Sequence, residues 1–314
     1  MALGKFKTTI YIAIAANVLI ACSKFVASFF TGSTAMLAEG IHSLIDTVND
    51  LLLLFGIKRS GRPADRAHPF GYGREIYFWS FIVSLLMFAL GGGFAIYEGI
   101  RSLKDPKIIA DPVWNYGVLF AAMVFESTSL IFAFRNFRKI HPTGNILKNI
   151  IKSKDPASFA VLVEDSVAVA GLLIALFGVF LSTKLNIPYF DGGASIVIGL
   201  LLFGVALFLA RETKGLLMGE TANPEILEKI ETILKNHRGV KDYLFPKTVH
   251  LRPESILVVI ELDFVDDLKL ASVEQAISEI RKKIIQQCPR VTHVFFHGIE
   301  DSENNQAATK IDLE

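Results

Sequence analysis

Six long apolar stretches constrain this chain more than any other feature of its sequence. Each is close to the roughly 20 residues that a helix needs to cross the hydrocarbon core of a bilayer. The stretches run over 9–30, 33–57, 76–100, 113–134, 156–181 and 192–210. Hydrophobic residues make up 52% of the 314 residues and charged residues only 20%, a balance typical of membrane proteins. The sequence therefore predicts a polytopic α-helical membrane protein with six transmembrane helices.

Basic residues are distributed unevenly between the connections, and six spans place both termini on the same side of the membrane. One side would carry Lys5, Lys7, Lys58, Arg59, Arg62, Arg66, Arg74, Arg135, Arg138, Lys139, Lys148, Lys152, Lys154, Arg211 and Lys214. The other side has chiefly Arg101, Lys104, Lys107 and Lys184. Because cytoplasmic loops carry the excess of Lys and Arg, both termini are expected in the cytoplasm. We expect a multi-pass protein of the cell (inner) membrane.

The chain divides into three parts by composition. Residues 1–215 form the predicted transmembrane domain, 216–300 have the mixed charge of a soluble domain, and 301–314 are polar and predicted to be disordered. Within the second part, helical and alternating patterns follow one another in the order helix, strand, strand, helix, strand, with Ser272 and Gln275 as a capping box for the second helix. This order predicts a ferredoxin-like α+β domain.

A polar stripe runs along the second apolar stretch. His42, Asp46 and Asp50 are spaced by four residues, so they share one face of a helix. A charged group at the centre of a bilayer costs from about 2.5 to more than 10 kcal/mol and usually belongs to a path for ions or protons. The stripe indicates a protein that handles cations, although such residues also hold helices together through hydrogen bonds.

An imidazole and a carboxylate one turn apart, His42 and Asp46, supply two ligands of the kind that Zn²⁺ accepts. Mn²⁺, Fe²⁺, Co²⁺ and Ni²⁺ use the same atoms. Imidazole titrates near neutral pH, so protons compete with a metal for this ring. The two cysteines, Cys22 and Cys288, are far apart and form no metal-binding pair. No sequence feature indicates an organic cofactor.

Further metal ligands are expected in the fifth stretch, where Glu164 and Asp165 are adjacent. Neighbouring positions on a helix point about 100° apart, so the two carboxylates do not automatically reach one ion. A seam of small residues that includes Ala160, Ala168 and Gly171 turns Glu164 toward the protein interior. The residues alone leave both acids open as ligands.

Several other polar residues are weaker candidates for a role at the metal site. Glu39, Asn49 and Asp50 are candidates for carrying protons or supporting the ligands, and the alternative is hydrogen bonding between helices. Lys24 either neutralises one of these acids or extends toward an interface.

In the second connection, Asp65 and His68 form a two-ligand pair, which is a weak signal for a second metal site. Glycines occur in the same connection at Gly71 and Gly73, where turns are expected, and in the third stretch at 91–93, where close helix packing is favoured over bending.

Two segments make the chain resemble the cation diffusion facilitator family of the zinc-transporter type. They are TGSTAMLAEGIHSLID at 31–46 and HPFGYGR at 68–74. The resemblance extends over six spans and a cytoplasmic domain. It implies a homodimer in which each protomer binds a divalent metal between the second and fifth helices and exports it in exchange for protons. Its second-helix ligands fall on His42 and Asp46.

The fifth helix departs from the family pattern. The resemblance places the family's aspartate on Asp165, and Val161 stands where a histidine or aspartate ligand is usual. Glu164 is then a candidate replacement, as in the family branch that has a Glu-Asp pair on this helix and includes a mitochondrial zinc exporter. At the family's second site, Asp65 and His68 match, but Tyr72 replaces the last histidine. The resemblance therefore implies a weak second site, and a cytoplasmic domain that acts chiefly as a dimer clamp.

The residue patterns and the family resemblance together predict a divalent metal and proton antiporter, with zinc as its substrate, that works by alternating access. Its metal ligands would be His42, Asp46 and one or both of Glu164 and Asp165. Its partners would be a second copy of the chain, divalent ions, protons and the bilayer, with no nucleic acid. The competing hypothesis is a membrane sensor or scaffold that holds a structural metal and transports nothing. The sequence contains no nucleophile with a positioned base and no phosphate loop, so it does not indicate an enzyme.

Overall fold

The computed structural model describes residues 2–106, 109, 112–140, 150, 154–266 and 268–298. Contacts group the chain into two compact units, which are described separately here. The first comprises 1–63 and 75–214, and the second comprises 64–74 and 215–314. The tail at 301–314, predicted to be disordered, lies outside the described residues.

The regular structure described in the first unit is all helical, and the predicted apolar stretches fall on its helices. The stretch 33–57 begins at the N-cap of the second helix, and 76–100 extends over three consecutive helical elements. The helices are α1 (Ala2–Thr31), α2 (Thr34–Ser60), α3 (Glu75–Leu86), a π-helical segment (Met87–Gly92), α4 (Gly93–Lys104), α5 (Val113–Ile140), α6 (Pro156–Leu185) and α7 (Tyr189–Met218). Helices α3 and α4 continue through the π segment as one apolar rod, Glu75–Lys104.

Five of these rods are long and apolar enough to cross a membrane, within the part of the chain that the structure describes. The apolar part of α1 with described side chains, Asn17–Thr31, is shorter. The prediction of a helical membrane protein is thus confirmed, whereas the sixth span remains a prediction.

The start of α2 is fixed by two side chains. Ser33 is the N-cap, and its Oγ accepts a hydrogen bond from the Met36 amide at 3.2 Å. Asp191 of α7 accepts hydrogen bonds from the Thr34 amide at 2.5 Å and from the Thr34 hydroxyl at 2.8 Å. A carboxylate at a helix N-terminus also complements the helix dipole. These contacts hold in place the helix that carries His42 and Asp46.

Glycines bring the rod Glu75–Lys104 against α7. A Cβ added at Gly92 would lie 3.0 Å from the Gly199 carbonyl oxygen, and one added at Gly99 would lie 2.8 Å from the Gly192 carbonyl oxygen. Both neighbours are backbone atoms, so only glycine permits this distance. The expected packing role is confirmed at Gly92, which also ends the π segment.

The second unit is built around a four-stranded sheet. Its elements are α8 (Pro224–Lys235), β1 (Val240–Tyr243), β2 (Lys247–Arg252), β3 (Ser255–Phe264), α9 (Leu270–Gln287) and β4 (Val291–Gly298). The central strand β3 pairs antiparallel with β1 and β2 and parallel with β4. The alternation of apolar residues places Ile256, Val258 and Ile260 in the core beneath α8 and α9.

Two details of this unit correct the sequence analysis. The short strand β1 is additional, so the order is helix, three strands, helix, strand, and the ferredoxin-like topology is not confirmed. Helix α9 begins at Leu270 with Lys269 as the N-cap, so the capping box at Ser272 and Gln275 was wrong; Gln275 instead donates to Glu279 one turn later. The helical pattern was sound, but Ser272 already lies inside the first turn.

Residues 64–74 are grouped with the sheet, although the sequence analysis assigned them to the transmembrane domain. The Phe70 ring contacts the ring of His293 on β4 edge to face, with centroids 5.6 Å apart. Gly71 forms a turn with φ of +78°. Gly73 also lies in a turn, as expected, and it is so close to the Leu251 carbonyl oxygen that a Cβ would overlap it, so close approach is a second reason for glycine here.

Candidate metal centre

His42 and Asp46 lie together on α2, as their spacing predicts. The Nδ1 of His42 is 3.4 Å from Oδ1 of Asp46. The ring is 1% exposed, and neither of its nitrogens makes a hydrogen bond to any described residue. A buried imidazole without hydrogen-bond partners loses its interactions with water, which costs free energy. A metal ion bound at a ring nitrogen would offset that cost.

A cavity of about 190 Å³ lies beside this pair, and we call it the acidic cavity. Its lining comes from α1, α2, α5 and α6. The acids that line it are Asp46, Asp50, Glu126, Glu164 and Asp165, and the other lining residues are Asn17, Ser43, Phe125, Ser129 and Val161. Among these described lining residues there is no Lys, Arg or His. Carboxylates of like sign repel one another inside a protein, and a divalent cation would offset that repulsion.

Glu164 and Asp165 both reach the acidic cavity, but they have different neighbours. Glu164 is buried and accepts a hydrogen bond of 3.2 Å from Nδ2 of Asn49 on α2. Asp165 accepts one of 2.8 Å from the Ser129 hydroxyl on α5. The small-residue seam therefore did turn Glu164 inward, toward the helix that carries His42. Asn49 supports that acid directly.

Asp50 completes the described set of cavity acids on α2. Its Oδ2 accepts a hydrogen bond of 3.3 Å from Nδ2 of Asn17 on α1. The polar stripe of α2 thus faces α1 and α6 rather than lipid, as expected for ionisable groups in a membrane.

The structure does not bring the four predicted ligands into one coordination shell. Within the described residues, no group of three or more His, Cys, Asp and Glu side chains lies close enough to hold a metal ion. His42 contacts Asp46 but does not line the acidic cavity. The predicted site is thus divided into a His-Asp pair and a cluster of carboxylates that share Asp46.

Sequence reasoning left part of the cavity unassigned. Glu126 of α5 lines the cavity, and its place in an apolar stretch had left it open between a role at the site and hydrogen bonding to a neighbouring helix. Ser129, three residues later, shares its helix face. Asn17 and Ser43 could not have been identified in advance, because single neutral polar residues are common in transmembrane helices.

Glu39 lies outside the cavity lining and is paired with Lys24. The lysine Nζ is 2.9 Å from Oε2 of Glu39, and both side chains are 0% exposed. Of the two alternatives for Lys24, neutralisation of an acid is therefore confirmed. The second oxygen of Glu39, Oε1, has no hydrogen-bond partner among the described residues.

At the predicted second site, Asp65 and His68, both carboxylate oxygens of Asp65 already accept hydrogen bonds from the protein. Oδ2 of Asp65 accepts a hydrogen bond of 2.7 Å from the Tyr72 hydroxyl, and Oδ1 accepts one of 2.7 Å from the His68 amide. These two hydrogen bonds, the Tyr72 bond foremost, hold the pKa of Asp65 below its usual value. The His68 ring packs on Tyr72 with centroids 4.1 Å apart. Tyr72 thus takes the place that a third ligand would need.

The chain matches a known family and several characterised relatives. The model of the cation efflux transmembrane domain matches residues 10–218. A human protein described as a mitochondrial proton-coupled zinc antiporter is 32% identical over 257 residues, covering 81% of this chain and 45% of that protein. Metal tolerance protein C4 of Arabidopsis thaliana is 31% identical over 250 residues, covering 79% of this chain and 55% of that protein.

A third relative has nearly the same length as this chain. The manganese efflux system protein MneP of Bacillus subtilis is 25% identical over 295 residues, which cover 91% of this chain and 93% of that protein. By contrast, the chain spans about half the length of the human and plant relatives. The match to the domain model, together with the buried His42–Asp46 pair and the acidic cavity, shows that the chain belongs to the cation diffusion facilitator family.

Proposed function

We propose that this protein exports a divalent metal cation from the cytoplasm in exchange for protons, by alternating access. The observation that carries the proposal is the acidic cavity within the transmembrane unit, which is lined by Asp46, the residue that His42 contacts. Family members are transporters, not enzymes. A relative described as a proton-coupled zinc antiporter supports both the cargo and the coupling.

The ligands in this proposal are His42, Asp46 and Glu164, with Asp165 as the alternative or additional acid. His42 contacts Asp46, and Asn49 holds Glu164 against the same helix. Asp46, Glu164 and Asp165 already line one cavity between α2 and α6, so side-chain movements that bring in His42 would complete the site. Glu126 and Asp50 then provide negative charge near the ion without binding it directly.

Proton exchange follows from the same groups. A carboxyl group away from water holds a proton more readily than one in water, and a nearby cation favours the ionised form. Metal entry into the acidic cavity would therefore release protons, and metal release would take protons up. No separate proton relay is required for this coupling.

Zinc is the proposed ion because His42 offers a nitrogen ligand. Manganese is the second candidate, since the lining of the acidic cavity is rich in oxygen ligands, which suit Mn²⁺. The relative described as a manganese efflux system protein supports this second candidate. We further propose that the protein is a homodimer with its second unit acting as the dimer clamp.

The test is transport by the full chain in liposomes. We expect zinc uptake to follow an imposed pH gradient, with a change in lumenal pH in step with the metal, and Asp46→Asn to abolish both. The same assay with Mn²⁺, Fe²⁺, Co²⁺ and Ni²⁺ identifies the preferred ion. Glu98→Gln is the matched control, because Glu98 is a transmembrane acid that pairs with Arg101 and does not line the acidic cavity.

Two outcomes would contradict the proposal. Metal flux that ignores the pH gradient would exclude proton exchange. Metal binding that Asp46→Asn abolishes, with no flux of any ion in the wild-type protein, would instead support a sensor or scaffold with a structural metal.

A further inference from the structure

Lys24 of α1 is a fully buried cation beside the metal centre. Its Nζ donates hydrogen bonds to Oε2 of Glu39 at 2.9 Å and to Oγ of Ser43 at 2.7 Å, both on α2. A buried ammonium is costly unless it is paired and hydrogen-bonded, and these two contacts meet that need. Its placement is therefore specific, since an aliphatic side chain would fill the same space without the cost.

Ser43 connects this ammonium to the acidic cavity. The serine lines the cavity, whereas Glu39, one turn earlier on α2, does not. The positive end of the Lys24–Glu39 pair thus faces the cavity through one hydroxyl group, and the negative end lies farther from it. Because no Lys, Arg or His lines the cavity within the described residues, Lys24 is the cation that the structure places next to its acids.

The pair is held against α6 by a glycine. A Cβ added at Gly171 would overlap Oε1 of Glu39, so the carboxylate lies directly over this position. Oε1 is buried and makes no hydrogen bond to any described residue. Lys24 is accordingly the main partner of Glu39, and the three helices α1, α2 and α6 meet at this pair.

We propose that Lys24 is a positioning residue that acts as a resident counter-charge for the acidic cavity. Its ammonium weakens the binding of a divalent cation there and so favours release of the ion. Glu39 holds the ammonium in place and cancels part of its field. The inference rests on the proposed function, in which the acidic cavity binds the transported ion.

The size of the effect can be bounded from electrostatics. At an effective dielectric constant of about 20, removing one unit charge about 10 Å from a dication changes its binding by roughly a hundredfold before solvent screening, so a change of about tenfold is expected when one member of the pair is removed. Whether metal binding becomes tighter or weaker depends on which member of the Lys24–Glu39 pair is removed. Loss of Lys24 tightens metal binding, whereas loss of the Glu39 charge leaves the ammonium unopposed and weakens it.

The experiment measures the affinity of the full chain in lipid nanodiscs for Zn²⁺ and Mn²⁺ by calorimetry. We expect Lys24→Met to tighten binding about tenfold or more and Glu39→Gln to weaken it by a similar factor. The double variant should bind more tightly than Glu39→Gln, from which it differs only at Lys24. Lys24→Met alone leaves the buried Glu39 carboxylate unpaired and this variant could fail to fold. The comparison of the double variant with Glu39→Gln does not use Lys24→Met alone, so it stands in either case.

Controls separate this inference from the proposed function. Ser23→Ala removes a neighbouring hydroxyl that donates a hydrogen bond to the Ile20 carbonyl oxygen of its own helix, and it should leave affinity unchanged. Asp46→Asn must abolish binding if the acidic cavity is the site; if it does not, the proposed function fails and this inference fails with it. If Asp46→Asn abolishes binding but both single variants weaken it, Lys24 and Glu39 serve only packing, and this inference alone is overturned.

Discussion

Val161 lies four residues before Asp165 and lines the acidic cavity with an apolar side chain. The family resemblance predicts a histidine or aspartate at this position. Glu164, one residue before Asp165, is the buried acid that Asn49 holds toward α2. The structure therefore offers a direct test of whether Glu164 replaces the missing ligand.

We expect Glu164→Gln to weaken zinc binding and slow zinc flux about a hundredfold or more. The Glu164 carboxylate and the bound zinc ion would form a buried ion pair, and removing one member of such a pair costs about 3–5 kcal/mol. Adding Val161→Asp should restore most of the loss, because positions 161 and 165 share a helix face that borders the same cavity. Calorimetry and liposome flux measure both effects.

Val161→Asn is the control for this rescue, because it has the shape of aspartate without the charge and should restore little. If Asp165→Asn abolishes flux while Glu164→Gln leaves it intact, Asp165 is the ligand and Glu164 has a supporting role.

The residues of the site were predictable to the extent that each has a strong individual signal. His42, Asp46 and the two acids of α6 were found because ionisable groups are rare in apolar stretches. Glu126 was visible but could not be assigned to a helix face. Asn17, Ser43 and Ser129 became evident only when the packing of four helices placed them at one cavity, which depends on helix rotation rather than on any local pattern.

At the scale of elements, the apolar stretches predicted the helices well, because the length of a span is set by bilayer thickness. They did not predict how the helices pack. The contact between the rod Glu75–Lys104 and α7 depends on glycines on both sides, and one glycine-rich stretch, 91–93, was the only part of it noted in advance. The added strand β1 was missed because its four residues are too few to show an alternating pattern.

This contact predicts a difference between two glycines of α7. A Cβ at Gly199 would lie 2.8 Å from the Ile96 amide nitrogen and 2.9 Å from the Gly92 carbonyl oxygen, whereas one at Gly204 would meet nothing within 4 Å. We expect Gly199→Ala to lower the free energy of unfolding by about 1–3 kcal/mol, because backbone atoms must separate. Gly204→Ala should cause no loss.

Thermal unfolding of the two purified variants in detergent measures this difference. Equal melting temperatures would show that the rod and α7 can move apart without cost, and the close packing would then have no structural importance.

At the scale of the whole molecule, the number of membrane crossings determines where each loop lies. Helix α1 has 30 residues, about 45 Å at the usual rise per residue, which is enough to span a bilayer. Its described apolar part is shorter, so the crossing of α1 is the point to test. If α1 crosses, six spans together with the excess of basic residues in the second and fourth connections predict that 64–74 and the second unit lie in the cytoplasm.

Cysteine labelling tests this arrangement in a background with Cys22→Ser and Cys288→Ala. A membrane-impermeant maleimide applied to intact cells should label Lys184→Cys, which is exposed in the last turn of α6, and should label Ala67→Cys and Glu274→Cys only after permeabilisation. A cysteine added ahead of Met1 decides the crossing of α1. Protection of that cysteine in intact cells means that α1 spans the membrane, whereas labelling means that five rods cross and Lys24 reaches the metal centre from a helix that does not traverse the bilayer.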